Sequence, residues 1–76
     1  MTAALPATTS RKVIKALERA GFAVHHTTGG HSVLRHVHDH NRRVTVPMHT
    51  RELKPGTLRF IIKQSGLSIE DFSAVL

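Results

Sequence analysis

The stretch FAVHHTTGGHSVLRHVHDHNRRVTVP, Phe22 to Pro47, decides the fold. Its first part, Phe22 to Thr28, is rich in aromatic and β-branched side chains and reads as a strand. Gly29-Gly30 is a turn signal of the hairpin kind. His31 to Val37 reads as a second strand. Asp39-His40-Asn41 is a polar turn. Arg43-Val44-Thr45-Val46 then alternates cleanly and stops at Pro47, as a third strand antiparallel to the second would.

Helical patterns flank this meander. Upstream, Val13, Ile14, Leu17 and Ala20 recur at helical spacing behind Ser10, a fair N-cap. Gly21 is a natural stop. The opposite face carries Arg11, Lys12, Lys15, Glu18 and Arg19, so residues 10–20 form a helix with one buried stripe and one mostly basic face. Residues 1–9, with Pro6 and three threonines, read as a flexible lead-in to a domain spanning 10–76. Downstream, residues 47–54 are a connection. Pro55-Gly56-Thr57 opens a second helix with Thr57 as its expected N-cap. Leu58, Ile61, Ile62 and Ser65 share its buried stripe, and Gly66 closes it. Ser68 and Asp71 have the spacing of a capping box. Ile69, Phe72 and Leu76 give a last short helix its apolar face.

The element order is therefore helix, three strands, helix, short helix, an α+β fold. With 76 residues there is one domain and too little chain to cover both faces of a sheet. The helices are expected on one face, leaving the other for a site.

Composition narrows the function. There is no cysteine, which rules out a disulfide framework, a thiolate metal site and a cysteine nucleophile, and fits a reducing cytoplasm. The longest apolar run is three residues, so no segment is expected to span a membrane. The N-terminus lacks the basic-then-apolar layout of a signal peptide. Eleven Lys and Arg against five Asp and Glu give +6 with the histidines neutral, which favours polyanions and acidic proteins. With aromatics at only 4% and no Trp or Tyr, an aromatic base-stacking platform is not expected. Met48 and Phe60 read as packing residues.

Several separated motifs resemble one family. Gly29-Gly30-His31, Arg43-Val44-Thr45-Val46-Pro47, Glu52-Leu53-Lys54-Pro55-Gly56-Thr57-Leu58 and Ser65-Gly66-Leu67-Ser68 occur in the order and spacing of the HicA toxins. Val13-Ile14-Lys15-Ala16-Leu17 and Ala20-Gly21-Phe22 are similar to that family's opening. The resemblance covers roughly residues 10–76. It implies a small fold like the double-stranded-RNA-binding domain, an mRNA-cleaving endoribonuclease activity, and neutralisation by a HicB-type antitoxin. The family's active histidine lies in a Gly-Ser-His motif opening the second strand. Here that residue is His31, and Gly30 stands where the family usually has serine.

The chemistry suits the residues. RNA carries its own nucleophile, the 2′-hydroxyl, and a cleaving enzyme must remove that proton, stabilise the phosphorane and protonate the leaving 5′-oxygen. Imidazole is the side chain best suited to such proton steps near neutral pH, and a positioned base contributes about 10²–10⁴ in rate. No metal or other cofactor is needed. His31 is the candidate base or acid. A second proton partner is open among His25, His26, His36, His49, a lysine and water. Gly30, Arg35, Arg42, Arg43, Lys54, Arg59 and Lys63 are the candidate RNA contacts, against the plainer reading of a solvated basic surface.

Two other readings compete. One is a non-catalytic RNA-binding module, since fold does not fix function. The other is a metal site on His36, His38 and His40, which would share a face if the second strand ran that far. The turn at Asp39-His40-Asn41 argues against it. Lys54-Pro55-Gly56 is not a phosphate-cradling loop, having one glycine with the lysine ahead of it; it reads as a helix entrance.

Overall fold

A computed structural model describes residues 5–76. The chain runs α1 (Ser10–Arg19), β1 (Phe22–Thr27), β2 (His31–His36), β3 (Arg43–Pro47), α2 (Pro55–Ser65) and α3 (Ile69–Val75). This is the expected α+β order. The strands form one antiparallel sheet in the order β1-β2-β3. No helix among the described residues is long and apolar enough to cross a membrane.

Strand alternation divides the sheet into two unlike faces. Leu34 lies opposite Val24 and Val44, and Ser32 lies opposite Val46. Leu34, Val44 and Val46 are fully buried together with Val13, Ala16 and Leu17 of α1, Ile61 of α2 and Phe72 of α3. All of these belong to one core. His31, Val33 and Arg35 of β2 and Arg43, Thr45 and Pro47 of β3 are half-buried or exposed on the face that no helix of the described residues covers.

Helix ends depart from the sequence expectations by small, explicable steps. The N-cap of α1 is Thr9, whose Oγ1 accepts from the Lys12 amide at 3.4 Å. Ser10, expected as the cap, is the first helical residue and is buried. Its hydroxyl donates to the Pro47 carbonyl at 2.6 Å and accepts from the His49 amide at 3.1 Å. A long-range polar contact outbids the local capping role. The helix gives way at Gly21, whose φ of 99° lies in the left-handed region. That φ disfavours any side chain, and a Cβ there would also stand 2.9 Å from the His36 Nε2 and displace its ring.

The N-cap of α2 is Lys54, not Thr57. Pro55 occupies the first turn, where its fixed φ is helical and its missing N–H costs no bond. This moves the start upstream and leaves Thr57 inside the helix. Gly66 ends α2 at φ 78°, and Ser68 caps α3 by accepting from the Asp71 amide at 3.0 Å, as the spacing implied.

Three polar ties hold the layers. Arg42 reaches back to the C-terminus of α2, where Nε and Nη2 donate to the Ser65 carbonyl at 3.0 and 2.6 Å. Its guanidinium also lies 5.4 Å from the centre of the Phe22 ring. Arg19 donates from Nη1 to the Val75 carbonyl at 2.8 Å, joining α1 to α3. Gln64 of α2 accepts from the Thr45 amide at 2.9 Å, occupying a donor on the outer edge of β3.

Residues 1–4 of the expected lead-in lie outside the described residues. Residues 5–9 run against the connection between β3 and α2. Thr8 is buried, its carbonyl accepts from the Leu53 amide at 2.9 Å, and Thr9 bridges Glu52. Leu5 packs on the core.

The Arg42 tie makes a quantitative expectation. Arg42→Ala removes two hydrogen bonds to a helix-terminal carbonyl and an aromatic contact. It should cost about 1–2 kcal/mol, which in a domain this size is a fall of about 4–16 °C in melting temperature. Thermal unfolding followed by circular dichroism measures it. An unchanged midpoint would contradict this role.

Candidate functional site: an uncovered basic sheet face

His31 opens β2 on the uncovered face and is exposed. Its position is fixed through the backbone by Thr28. The Thr28 Oγ1 accepts from the His31 and Gly30 amides at 3.1 and 3.3 Å, and the Thr28 amide donates to the His31 carbonyl at 2.8 Å. The hairpin thus closes on a threonine side chain. Neither Gly29 nor Gly30 takes the positive φ that a primed two-residue turn requires. A Cβ at Gly30 would meet nothing within 4 Å. A serine side chain would therefore fit at this position.

The register shows what shares the face with His31. Its partner on β3 is Pro47. Further along β2, Val33 stands between His26 and Thr45, and Arg35 stands between Ala23 and Arg43. His31 and Arg35 are four residues apart, about 14 Å at strand rise. Two arginines directly opposite each other repel, so they weaken the sheet unless an anion lies between them. The Nε of Arg35 is buried and makes no hydrogen bond among the described residues. A planar guanidinium pair of this kind suits a phosphate.

The structure sorts the remaining candidates. His36 points to the helix side: its ring meets Phe22 edge-on at 5.2 Å, and its Nδ1 accepts from the His38 amide at 3.1 Å. It is on the opposite face from His31 and serves packing. His25 is the extra residue of a bulge in β1 between Val24 and His26. That bulge puts His26 opposite Val33, diagonal to His31. His49 is exposed two residues beyond Pro47. Of the four histidines open as second proton partners, His26 is set diagonal to His31 by the register, and His49 follows two residues after Pro47, the strand partner of His31.

Arg35 and Arg43 join His31 on the uncovered face. Arg42 does not, because its guanidinium is committed to Ser65. Arg59 and Lys63 sit on the exposed side of α2, which packs against the opposite face of the sheet. Lys54 lines a cleft of about 510 Å³ between the β3–α2 connection and the start of α2. Phe60, read as a packing residue, is 60% exposed. Met48 is half-buried beside the glycine turn, its amide donating to the Gly30 carbonyl at 2.9 Å.

The histidine-rich segment does not assemble a ligand set. β2 ends at His36, and His38 and His40 lie in the bend and turn that follow. The rings of His36 and His38 are 5.9 Å apart and tilted. Among the described residues, no three His, Cys, Asp or Glu side chains are placed to hold a metal ion.

Thr28 was missed by sequence reasoning, although a Ser or Thr ahead of a glycine pair is a known turn former through its hydroxyl. Arg11 and His49 were also missed as neighbours. Nothing in sequence spacing shows that the start of α1 meets the chain leaving β3.

The fold and face together define a small α+β module that presents one histidine on a basic, open sheet. The chain matches a family model described as HicA toxin of bacterial toxin-antitoxin over residues 10–67. It belongs to the HicA toxin family. No curated protein matches it at a significant level.

The open space at Gly30 makes a second expectation. Gly30→Ser should shift stability by less than about 0.5 kcal/mol, the usual range for surface changes away from special backbone. Gly21→Ala should unfold the protein at markedly lower temperature. Equal melting of the two variants would contradict this reading of the two glycines.

Proposed function

We propose that this toxin is a metal-independent endoribonuclease acting on mRNA in the cytoplasm, with His31 as the proton-transfer residue. The observation that carries the reading is the exposed His31 on an uncovered sheet face that also bears the opposed Arg35 and Arg43. In the reaction, the 2′-hydroxyl gives up its proton and its oxygen bonds to phosphorus. The phosphorus–5′-oxygen bond breaks, and the leaving oxygen takes a proton. The products are a 2′,3′-cyclic phosphate and a 5′-hydroxyl, with no change in oxidation state. His31 takes or gives one of the two protons. His26, His49 or water serves the other.

The arginine pair binds the phosphodiester backbone along the same face. Guanidinium groups also favour the charge that builds on the phosphorane. Dependence on the 2′-hydroxyl makes DNA inert as a substrate. A HicB-type antitoxin neutralises the activity by covering the His31 face. Against a chain of net charge +6, an acidic antitoxin surface would associate quickly and with strong salt dependence.

The test is incubation of the protein with a long unstructured RNA in EDTA. Cleavage should persist with the chelator and fall about a hundredfold or more in His31→Ala. The variant should melt like the parent because the ring is exposed. Binding without cleavage would make the protein a non-catalytic RNA-binding module. Cleavage that survives His31→Ala would move the chemistry to another residue.

A further inference from the structure

The end of the sheet beside His31 opens into a second feature. A cleft of about 480 Å³ is lined by Thr9, Arg11, Gly29, Met48, His49 and Thr50. The cleft of about 510 Å³ at Lys54 has His49 and Thr50 in its lining as well. The two therefore meet along the chain that leaves β3. Arg11 stands in one, and Arg51 and Lys54 stand in the other, all with exposed side chains. One acid, Glu52, also lines the second cleft.

The position of this groove follows from contacts already described. Ser10 bonds the Pro47 carbonyl and the His49 amide, which draws the start of α1 against the strand exit. The Met48 amide bonds the Gly30 carbonyl, which keeps the same exit beside the glycine turn. His49 is two positions past Pro47, the cross-strand partner of His31. Gly29 and Gly30 place no side chain in the gap, and a Cβ on either would meet nothing within 4 Å.

The lining chemistry identifies the class of ligand. Small-molecule sites are enclosed and mostly apolar. These clefts are open, and beside the apolar surface of Met48 and Leu53 they carry threonine hydroxyls, an imidazole and three cationic side chains against one acid. Such groups make the contacts that nucleic-acid backbones receive. Each cleft has the size of a site for a small ligand, so it admits a nucleotide or two and not a duplex.

We propose that the joined clefts are a binding groove for single-stranded RNA flanking the phosphate at His31, with Arg11, His49 and Lys54 contacting the backbone. The proposal rests on the RNA-cleaving reading of His31. It adds a track on the helix side of the glycine turn, where neither the charge balance nor the uncovered face placed one.

The experiment uses the full chain and a short labelled single-stranded RNA with 2′-O-methyl riboses, which lacks the nucleophile. Affinity is measured across a salt series for the unaltered protein, for Arg11→Ala/Lys54→Ala, and for Lys12→Ala/Lys15→Ala. The last pair removes the same charge from the exposed side of α1 and lines neither cleft. Thermal melting confirms that all three fold. The groove pair should weaken binding at least tenfold and flatten the log–log salt slope by about 1.4, or about 0.7 per lost phosphate contact. The Lys12/Lys15 pair should change the slope much less.

Equal losses in the two double variants would overturn the groove, leaving only a diffuse field. So would a groove pair that binds as the parent does. If that happened while ordinary RNA was still cleaved through His31, the groove would fall and the catalytic reading would stand. Groove-dependent binding without cleavage of ordinary RNA would uphold the groove and remove the catalytic reading. Absence of any binding by the unaltered protein would overturn both.

Discussion

One-sided burial is the constraint on which this structure depends. A three-stranded sheet has two faces, and 76 residues supply apolar side chains for one of them. Leu34, Val44 and Val46 take the helices, and Phe72 closes the core from α3. Alternation then forces every second residue of the same strands outward. His31, Arg35 and Arg43 are thus placed by the same periodicity that buries their neighbours. Shifting the register of β2 by one residue would exchange the two sets and lose both core and face.

The elements themselves were legible because their signals are local. The apolar spacing of Val13, Ile14 and Leu17, the alternation of Arg43 to Val46, and the glycines at 21 and 66 each act within a few residues. The misplacements have long-range causes. Ser10 looks like a cap until Pro47 and His49 claim its hydroxyl from across the molecule. Arg42 looks like a surface cation until the β2–β3 turn brings it to the end of α2. Phe60 follows an apolar pattern one position off the buried stripe of α2, so a residue typical of cores ends in solvent.

The candidate site was legible in part for the same reason. A histidine directly after two glycines stands out among seven histidines, and strand parity gives it a face. Parity also groups Arg35 with it. The bulge at His25 breaks that counting on β1, so sequence alone does not tell which of His25 and His26 shares the face of His31. The approach of Arg11 to His49 depends on how α1 packs across the sheet end. No pairwise spacing in the chain encodes that contact.

The bond between Gln64 and Thr45 has a consequence for how copies of this chain meet. It occupies a donor on the β3 border of the sheet; β1 forms the other border, with no strand of the described residues beyond it. An incoming strand would meet that bond on the β3 side and the bulge at His25 on the β1 side. Each lateral border of the sheet thus carries an irregularity of the kind that discourages strand addition. The glutamine thus does on one border what the extra residue does on the other, and both work against growth of the sheet from copy to copy.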